Sequence, residues 1–157
     1  MITVLAIGSN KDDSFRKIEA EYLKRLSAFC RIQVTEVKDE PNPHPGREKE
    51  EQIVMEKEGA RALSKISPAD FVILLDLHGK QLDSPDFARR LTEWHETKTN
   101  LVFVIAGSLG PSAALVQRAD FSWKLSDLTF THLMTRMLVL EQIYRGFMIS
   151  SGRTYHK

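Results

Sequence analysis

Two stretches of this chain admit few architectures. Asp70–Leu77 (DFVILLDL) and Leu101–Ile105 (LVFVI) are apolar runs of strand length. A strand without a polar face needs cover on both sides, the situation of a parallel sheet sandwiched between helices. Around these runs, helical and strand-like segments alternate. Ile2–Ile7 predicts a first strand, ending at Gly8-Ser9-Asn10. From Ser14 to Leu26, Phe15, Ile18, Tyr22 and Leu26 recur at spacings of three and four, the stripe of an amphipathic helix. Ile32–Val37 alternates as a second strand, with Ile32, Val34 and Glu36 on one face. Pro41, Pro43 and Pro45 make Lys38–Arg47 an extended loop. Glu48–Lys65 reads as a helix whose many glutamates form a solvated face. A turn is expected at Asp76–Lys80, where Asp76 and Lys80 are close enough to pair. Ser84 should then N-cap a helix to about Glu96, with Pro85 at its first position. Pro111 opens a short helix to about Ala119, Phe121–Leu125 is the last strand, and a long helix runs from near Thr129 to about Arg145. The expected class is α/β, a mainly parallel sheet with helices on both faces, in a single domain spanning residues 1–157.

Charge narrows the partners. The chain has 22 basic and 21 acidic residues, a formal net charge of +1. A protein that binds nucleic acid through bulk charge is more basic, so such a partner must meet a local patch or one assembled by dimerisation. Cys30 is the only cysteine, which leaves no intrachain disulfide and no cysteine metal cluster. It reads as a small buried hydrophobe rather than a reactive thiol. His44 has no second ligand nearby, and no metal is expected. MITVLAIGSN lacks the basic start and long apolar run of a signal peptide. No segment approaches the roughly 18–20 apolar residues needed to cross a bilayer. A cytoplasmic protein is expected.

In an open α/β sheet, ligands sit at the carboxyl ends of the strands. Leu75–Lys80, Ala106–Pro111 and Leu125–Phe130 each follow one of the last three strands, so they could meet in space. The glycines of AGSLG permit close backbone approach, although the spacing is neither a dinucleotide nor a P-loop fingerprint. An ordinary strand-to-helix turn reads equally well there, as does a plain N-cap at Ser126-Asp127. His132 and Arg136 share one face of the last helix, and Glu141 and Arg145 form a second such pair. The tail, Arg153-Thr154-Tyr155-His156-Lys157, concentrates two cations, an imidazole and an aromatic ring. These groups suit phosphates and unpaired bases, though a terminus can also carry them by chance.

LLDLHGKQLDSPDFA (Leu74–Ala88), FVIAGSLG (Phe103–Gly110), KLSDLTFTHLMTRMLVLEQIYRGFMI (Lys124–Ile149) and the terminal YHK together resemble the RlmH family. These are SPOUT-superfamily methyltransferases acting on N3 of a pseudouridine in large-subunit (23S) ribosomal RNA. The resemblance spans essentially the whole chain. It implies a C-terminal trefoil knot, an exception to the usual absence of knots, and a homodimer with the last helix at the two-fold axis. It implies S-adenosylmethionine as cofactor, contacted by Leu75, Ala106, Gly107, Leu125, Ser126, Asp127, Leu128, Thr129 and Phe130. His132, Tyr155, His156 and Arg153 become the candidate catalytic residues, and Arg136, Arg145, Arg153 and Lys157 the candidate RNA contacts. The substrate implied is ribosomal RNA within assembled ribosomes, with no metal and no membrane. The chain departs from the family pattern twice: Ala106-Gly107 replaces paired glycines, and Thr131-His132 replaces Pro-His. The methyl of Ala106 is harmless if that residue avoids positive φ. Two other readings remain: a non-catalytic ribosome-binding or assembly factor on the same fold, for which only Ala106 speaks, and a nicotinamide-nucleotide oxidoreductase, which the missing fingerprint disfavours.

Overall fold

A computed structural model describes residues 1–156; the RNA contact expected at Lys157 lies outside the described residues. Strands β1 (Ile2–Ile7), β2 (Ile32–Val37), β3 (Phe71–Gln81), β4 (Leu101–Ile105) and β5 (Phe121–Lys124) alternate with helices α1 (Asp13–Leu26), α2 (Glu48–Leu63), α3 (Ser84–Thr97), α4 (Ala113–Arg118) and α5 (His132–Ser150). The strands form one sheet in the order β2-β1-β4-β3-β5. Every neighbouring pair is parallel.

The period-two alternation sorts the core. Ile2, Val4, Ile73, Leu101, Phe103 and Ile105 pack with residues of α1, α3 and α5, while Leu5, Ile7, Val72, Leu74, Val102 and Val104 pack with residues of α2 and α4. Both apolar runs are therefore covered on both faces, as their composition requires. On the larger side, Trp123 stacks on Phe87 with ring centroids 4.4 Å apart. Leu140 and Ile143 of α5 are fully buried, each contributing roughly 1.5–3 kcal/mol through removal from water.

Several boundaries differ from the sequence expectation, each for a local reason. Pairing of β3 with β5 breaks after Leu75 and resumes at Lys80, both opposite Trp123, so Asp76–Gly79 bulges from a longer strand instead of ending it. Asp76 Oδ1 accepts from the His78 amide at 2.9 Å rather than pairing with Lys80. At the re-entry, a Cβ on Gly79 would lie 2.6 Å from the Ser122 carbonyl carbon, so only glycine lets the strands close. Asp83, not Ser84, caps α3: its carboxylate accepts from the Asp86 amide at 2.8 Å. Ser112 caps α4, which begins after Pro111.

The last helix shifts at both ends. Leu125–Thr131 is a loop leading into α5 rather than its first turn, and Thr131 is the N-cap, with φ −62° and ψ 159°. That φ is the value proline imposes, so Thr131 holds without strain the geometry a proline would fix. Gly146 does not stop the helix. A Cβ there would lie 2.9 Å from Leu91 Cδ2, so this glycine serves the close approach of α3 and α5.

Candidate active site

In a parallel sheet all strands point the same way, and the bulge of β3 and the loops after β4 and β5 meet at one edge. They enclose a cavity of about 640 Å³, within the usual range for small-molecule sites. Leu75, Ala106, Gly107, Leu125, Ser126, Leu128, Thr129, Phe130 and His132 all line it, beside Ile105, Trp123 and Thr135. Asp127 is not among the lining residues: its carboxylate pairs with Lys124 and is 81% exposed. Among the described residues only glycines have positive φ, so Ala106 carries no backbone strain.

Beneath α5 lies a polar network centred on Arg136. This side chain is 0% exposed, which corrects its expected role as an RNA contact: no phosphate can reach it. Nη1 donates to Glu36 Oε2 at 2.6 Å and lies 3.4 Å from Glu19 Oε2. Nη2 donates to the Gly8 carbonyl at 3.1 Å and lies 3.0 Å from His132 Nε2. The other ring nitrogen, Nδ1, is 3.4 Å from the Ala106 carbonyl in the pocket wall. Glu36 Oε2 also accepts from the Asn10 amide at 2.7 Å. Four elements, β1 and its loop, β2, α1 and α5, are thus tied together at the edge that carries the cavity. Burial lowers the His132 pKa, and the Arg136 cation lowers it further.

Burial acts to raise the Glu36 pKa, but the hydrogen bonds from Arg136 and Asn10 and the Arg136 charge prevail, and it is lowered. A lowered carboxylate stabilises the fold fully above its unfolded pKa of about 4.3, and that contribution is lost as pH falls through the folded value. Thermal melting followed from pH 6 downward should therefore show a steeper acid decline for the wild type than for Glu36→Gln. Parallel declines would mean that this pair does not couple to folding.

Glu58 corrects another expectation. It is 4% exposed, not part of the solvated face of α2, and it sits four residues from both Val54 and Ala62 in the buried stripe. Its Oε2 accepts from the Glu40 amide at 3.0 Å, and burial raises its pKa. A Cβ on Gly107 would stand 2.7 Å from Glu58 Oε1, so the carboxylate backs the glycine loop where it lines the cavity. Gly107→Ala should cost about 1–3 kcal/mol by overpacking, and Glu58→Ala in the same chain should return part of that loss. A double-mutant cycle in urea checks it; additive losses would mean that the two residues do not press on each other.

Cys30 behaves as expected. It is half-buried, its thiol faces the Leu26 carbonyl at 3.7 Å, and burial pushes its pKa up to about 11.

The tail residues lie elsewhere. Glu141 Oε1 accepts from Arg145 Nη2 at 2.6 Å and from the Tyr155 hydroxyl at 3.3 Å. Arg145 also stacks over the Tyr155 ring at 4.7 Å and lies 3.1 Å from His156 Nδ1. Tyr155 packs edge-on to Tyr144, and Arg153 covers Phe29 at 5.1 Å. Burial, then the Glu141 charge, raises the Tyr155 pKa, so the phenol is a donor at neutral pH. Glu141 lies roughly 13 Å along the helix axis from His132, at 1.5 Å per residue, and neither Tyr155 nor His156 lines the cavity of its own chain. The sequence reading missed Glu36 and Glu58 as structural anchors. In both, the signal was a carboxylate placed on an apolar face.

Among the described residues no cluster of histidine, cysteine, aspartate or glutamate could hold a metal ion, and no helix is long and apolar enough to cross a membrane.

Comparison with known proteins gives the arrangement a context. The chain is 43% identical over 157 residues to “Ribosomal RNA large subunit methyltransferase H” of Desulfitobacterium hafniense, covering 99% of this chain and 98% of that protein. It is 45% identical to the protein of the same name from Carboxydothermus hydrogenoformans, with 99% of both chains covered. A solved structure described as a probable methylase family protein from Haemophilus influenzae superimposes with a TM-score of 0.55 over 96% of this chain and 66% of that one. At 9% identity that likeness concerns the fold alone. The family model described as “Predicted SPOUT methyltransferase” matches residues 1–156, and the chain belongs to the SPOUT methyltransferase family.

Proposed function

We propose that this protein is an S-adenosylmethionine-dependent methyltransferase acting on N3 of a pseudouridine in 23S ribosomal RNA, in the cytoplasm and on assembled ribosomes. The observation that carries this reading is the convergence of the β3 bulge and the loops after β4 and β5 on one cavity. Its walls suit a nucleoside cofactor. Leu75, Ile105, Trp123 and Leu125 offer apolar surface for a base, while Gly107, Ser126 and the backbone of Ala106–Gly110 would hold polar ends. Bound there, S-adenosylmethionine supplies an electrophilic methyl group. The chain's own contribution is to orient the target in line with that methyl, exclude water and accept the imide proton.

Tyr155 and His156 lie away from their own cavity, so the working unit is a homodimer in which one copy's tail completes the partner's site. Leu128 and Phe130 at the cavity and Met134 on α5 are exposed apolar surface that a second copy would cover. In this assembly His156, exposed and so free to exchange its Arg145 contact for the substrate, is the proton acceptor, Tyr155 an orienting donor, and Arg145 and Arg153 hold phosphates. The trefoil knot and a single working domain belong to the same proposal. With Ala106 unstrained, nothing now favours the non-catalytic alternative.

Trp123 lines the cavity and Trp94 does not, which gives an optical test. In a Trp94→Phe background, emission should change saturably on titration with S-adenosylhomocysteine; a flat titration would remove the cofactor from the proposal. A chain of net charge +1 should also grip naked RNA weakly, so methylation of a protein-free 23S fragment should run far below that of ribosomes. Equal rates on both would refute dependence on the assembled particle.

A further inference from the structure

We infer that Arg136 locks His132 in one tautomer, as a hydrogen-bond donor to the Ala106 carbonyl. This makes His132 a positioning residue of the pocket wall and not the proton acceptor of methyl transfer. The wall's role in cofactor binding rests on the proposed function, whereas the locked tautomer does not. Guanidinium nitrogens only donate, so at 3.0 Å from Arg136 Nη2 the Nε2 atom of His132 must be the acceptor. A neutral imidazole with an acceptor at Nε2 carries its proton on Nδ1. Nδ1 faces a carbonyl, which only accepts, at 3.4 Å. Two partners of opposite kind thus select the same tautomer.

The arrangement also resists protonation. An imidazolium would set a second N–H against Arg136, cation against cation. The charged groups facing this site are Arg136 on the same helix, Glu36 at the end of β2, Glu19 of α1 behind Arg136, and Asp39 in the loop after β2. Both glutamates engage Arg136, which holds the guanidinium in place against the ring. With its lone pair occupied, His132 has none to offer a substrate proton. What it does hold is one end of the loop whose other contact is Glu58 behind Gly107.

Two-bond proton–nitrogen spectra of ¹⁵N-labelled free protein read the tautomer directly. The chain has five histidines, and His132→Asn identifies the signal by its loss. The expected spectrum has the proton on Nδ1 and does not change between about pH 5.5 and 8.5, where an ordinary histidine titrates. A proton on Nε2, or an ordinary midpoint near 6.5, would overturn the inference. In Arg136→Gln the amide can donate or accept, so His132 should show both tautomers and titrate in that window. An unchanged spectrum would mean that Arg136 is not the lock. If that variant does not fold, the wild-type spectrum decides alone. Titration of S-adenosylhomocysteine should be about tenfold weaker for folded Arg136→Gln than for the wild type. Equal binding would remove His132 from the pocket wall's function. No binding by either protein would instead refute the cofactor assignment and leave the tautomer result standing.

Discussion

Replacing His156 with alanine should lower turnover on the order of 100-fold or more, the usual loss when a positioned proton acceptor is removed, while S-adenosylmethionine affinity stays at the wild-type value. The split follows from placement: His156 contacts Arg145 and does not line the cavity of its own chain. Tyr155→Phe should show the same pattern with a smaller loss, because it removes one donor to Glu141 and keeps the ring against Tyr144. The dimer makes a sharper prediction. Thr129 lines the cavity and is exposed, so Thr129→Trp should fill the pocket without disturbing the core. Neither His156→Ala nor Thr129→Trp should turn over alone. Mixed after unfolding and refolding together, they should recover about a quarter of wild-type activity, since half the dimers are mixed and each has one intact site. A mixture as inactive as its parents would place each tail at its own pocket.

Replacing Arg136 with methionine should cost about 3 kcal/mol or more of folding stability, the usual penalty for breaking a buried ion pair from one side. The guanidinium is fully buried and serves Glu36, Gly8 and His132 at once. Methionine fills much of the volume but leaves the Gly8 carbonyl without this donor and Glu36 Oε2 with the Asn10 amide and no cation. For a chain of this size the loss corresponds to a fall in Tm of roughly 10 °C, seen by calorimetry. A change within a degree or two would mean that water substitutes for the arginine and that the network is not a structural anchor.

Some of this was legible in the sequence. The apolar runs at β3 and β4 dictated cover on both faces and hence a parallel sheet, and parallel strands bring their carboxyl-end loops to one edge. Those two facts allow the segments that start at Leu75, Ala106 and Leu125 to meet, although the first is a bulge inside β3 and not a loop after it; the individual contact residues came from the family resemblance. Arg136 was not legible. An arginine on a helix beside a histidine looks like a surface pair until Glu36 and Glu19, from elements 100 and 117 residues away, are seen to meet it. Gly146 misled in the opposite direction, since a glycine after a helical stripe reads as a stop. Its actual cause, the approach of Leu91, is a tertiary contact that no local pattern contains. The distance from the tail to its own cavity follows only from the length of α5 and the fold-back onto Glu141.

Methyl transfer to large-subunit ribosomal RNA is open to direct assay. Ribosomes from a strain lacking its own version of this enzyme are incubated with the protein and S-adenosylmethionine carrying a radiolabelled methyl group. The large-subunit RNA is then isolated, digested and resolved into nucleosides. Label should appear in a single product, N3-methylpseudouridine. Unlabelled RNA, with cofactor binding intact by Trp123 emission, would rule out methyl transfer and leave a ribosome-binding protein that has kept the fold without the chemistry.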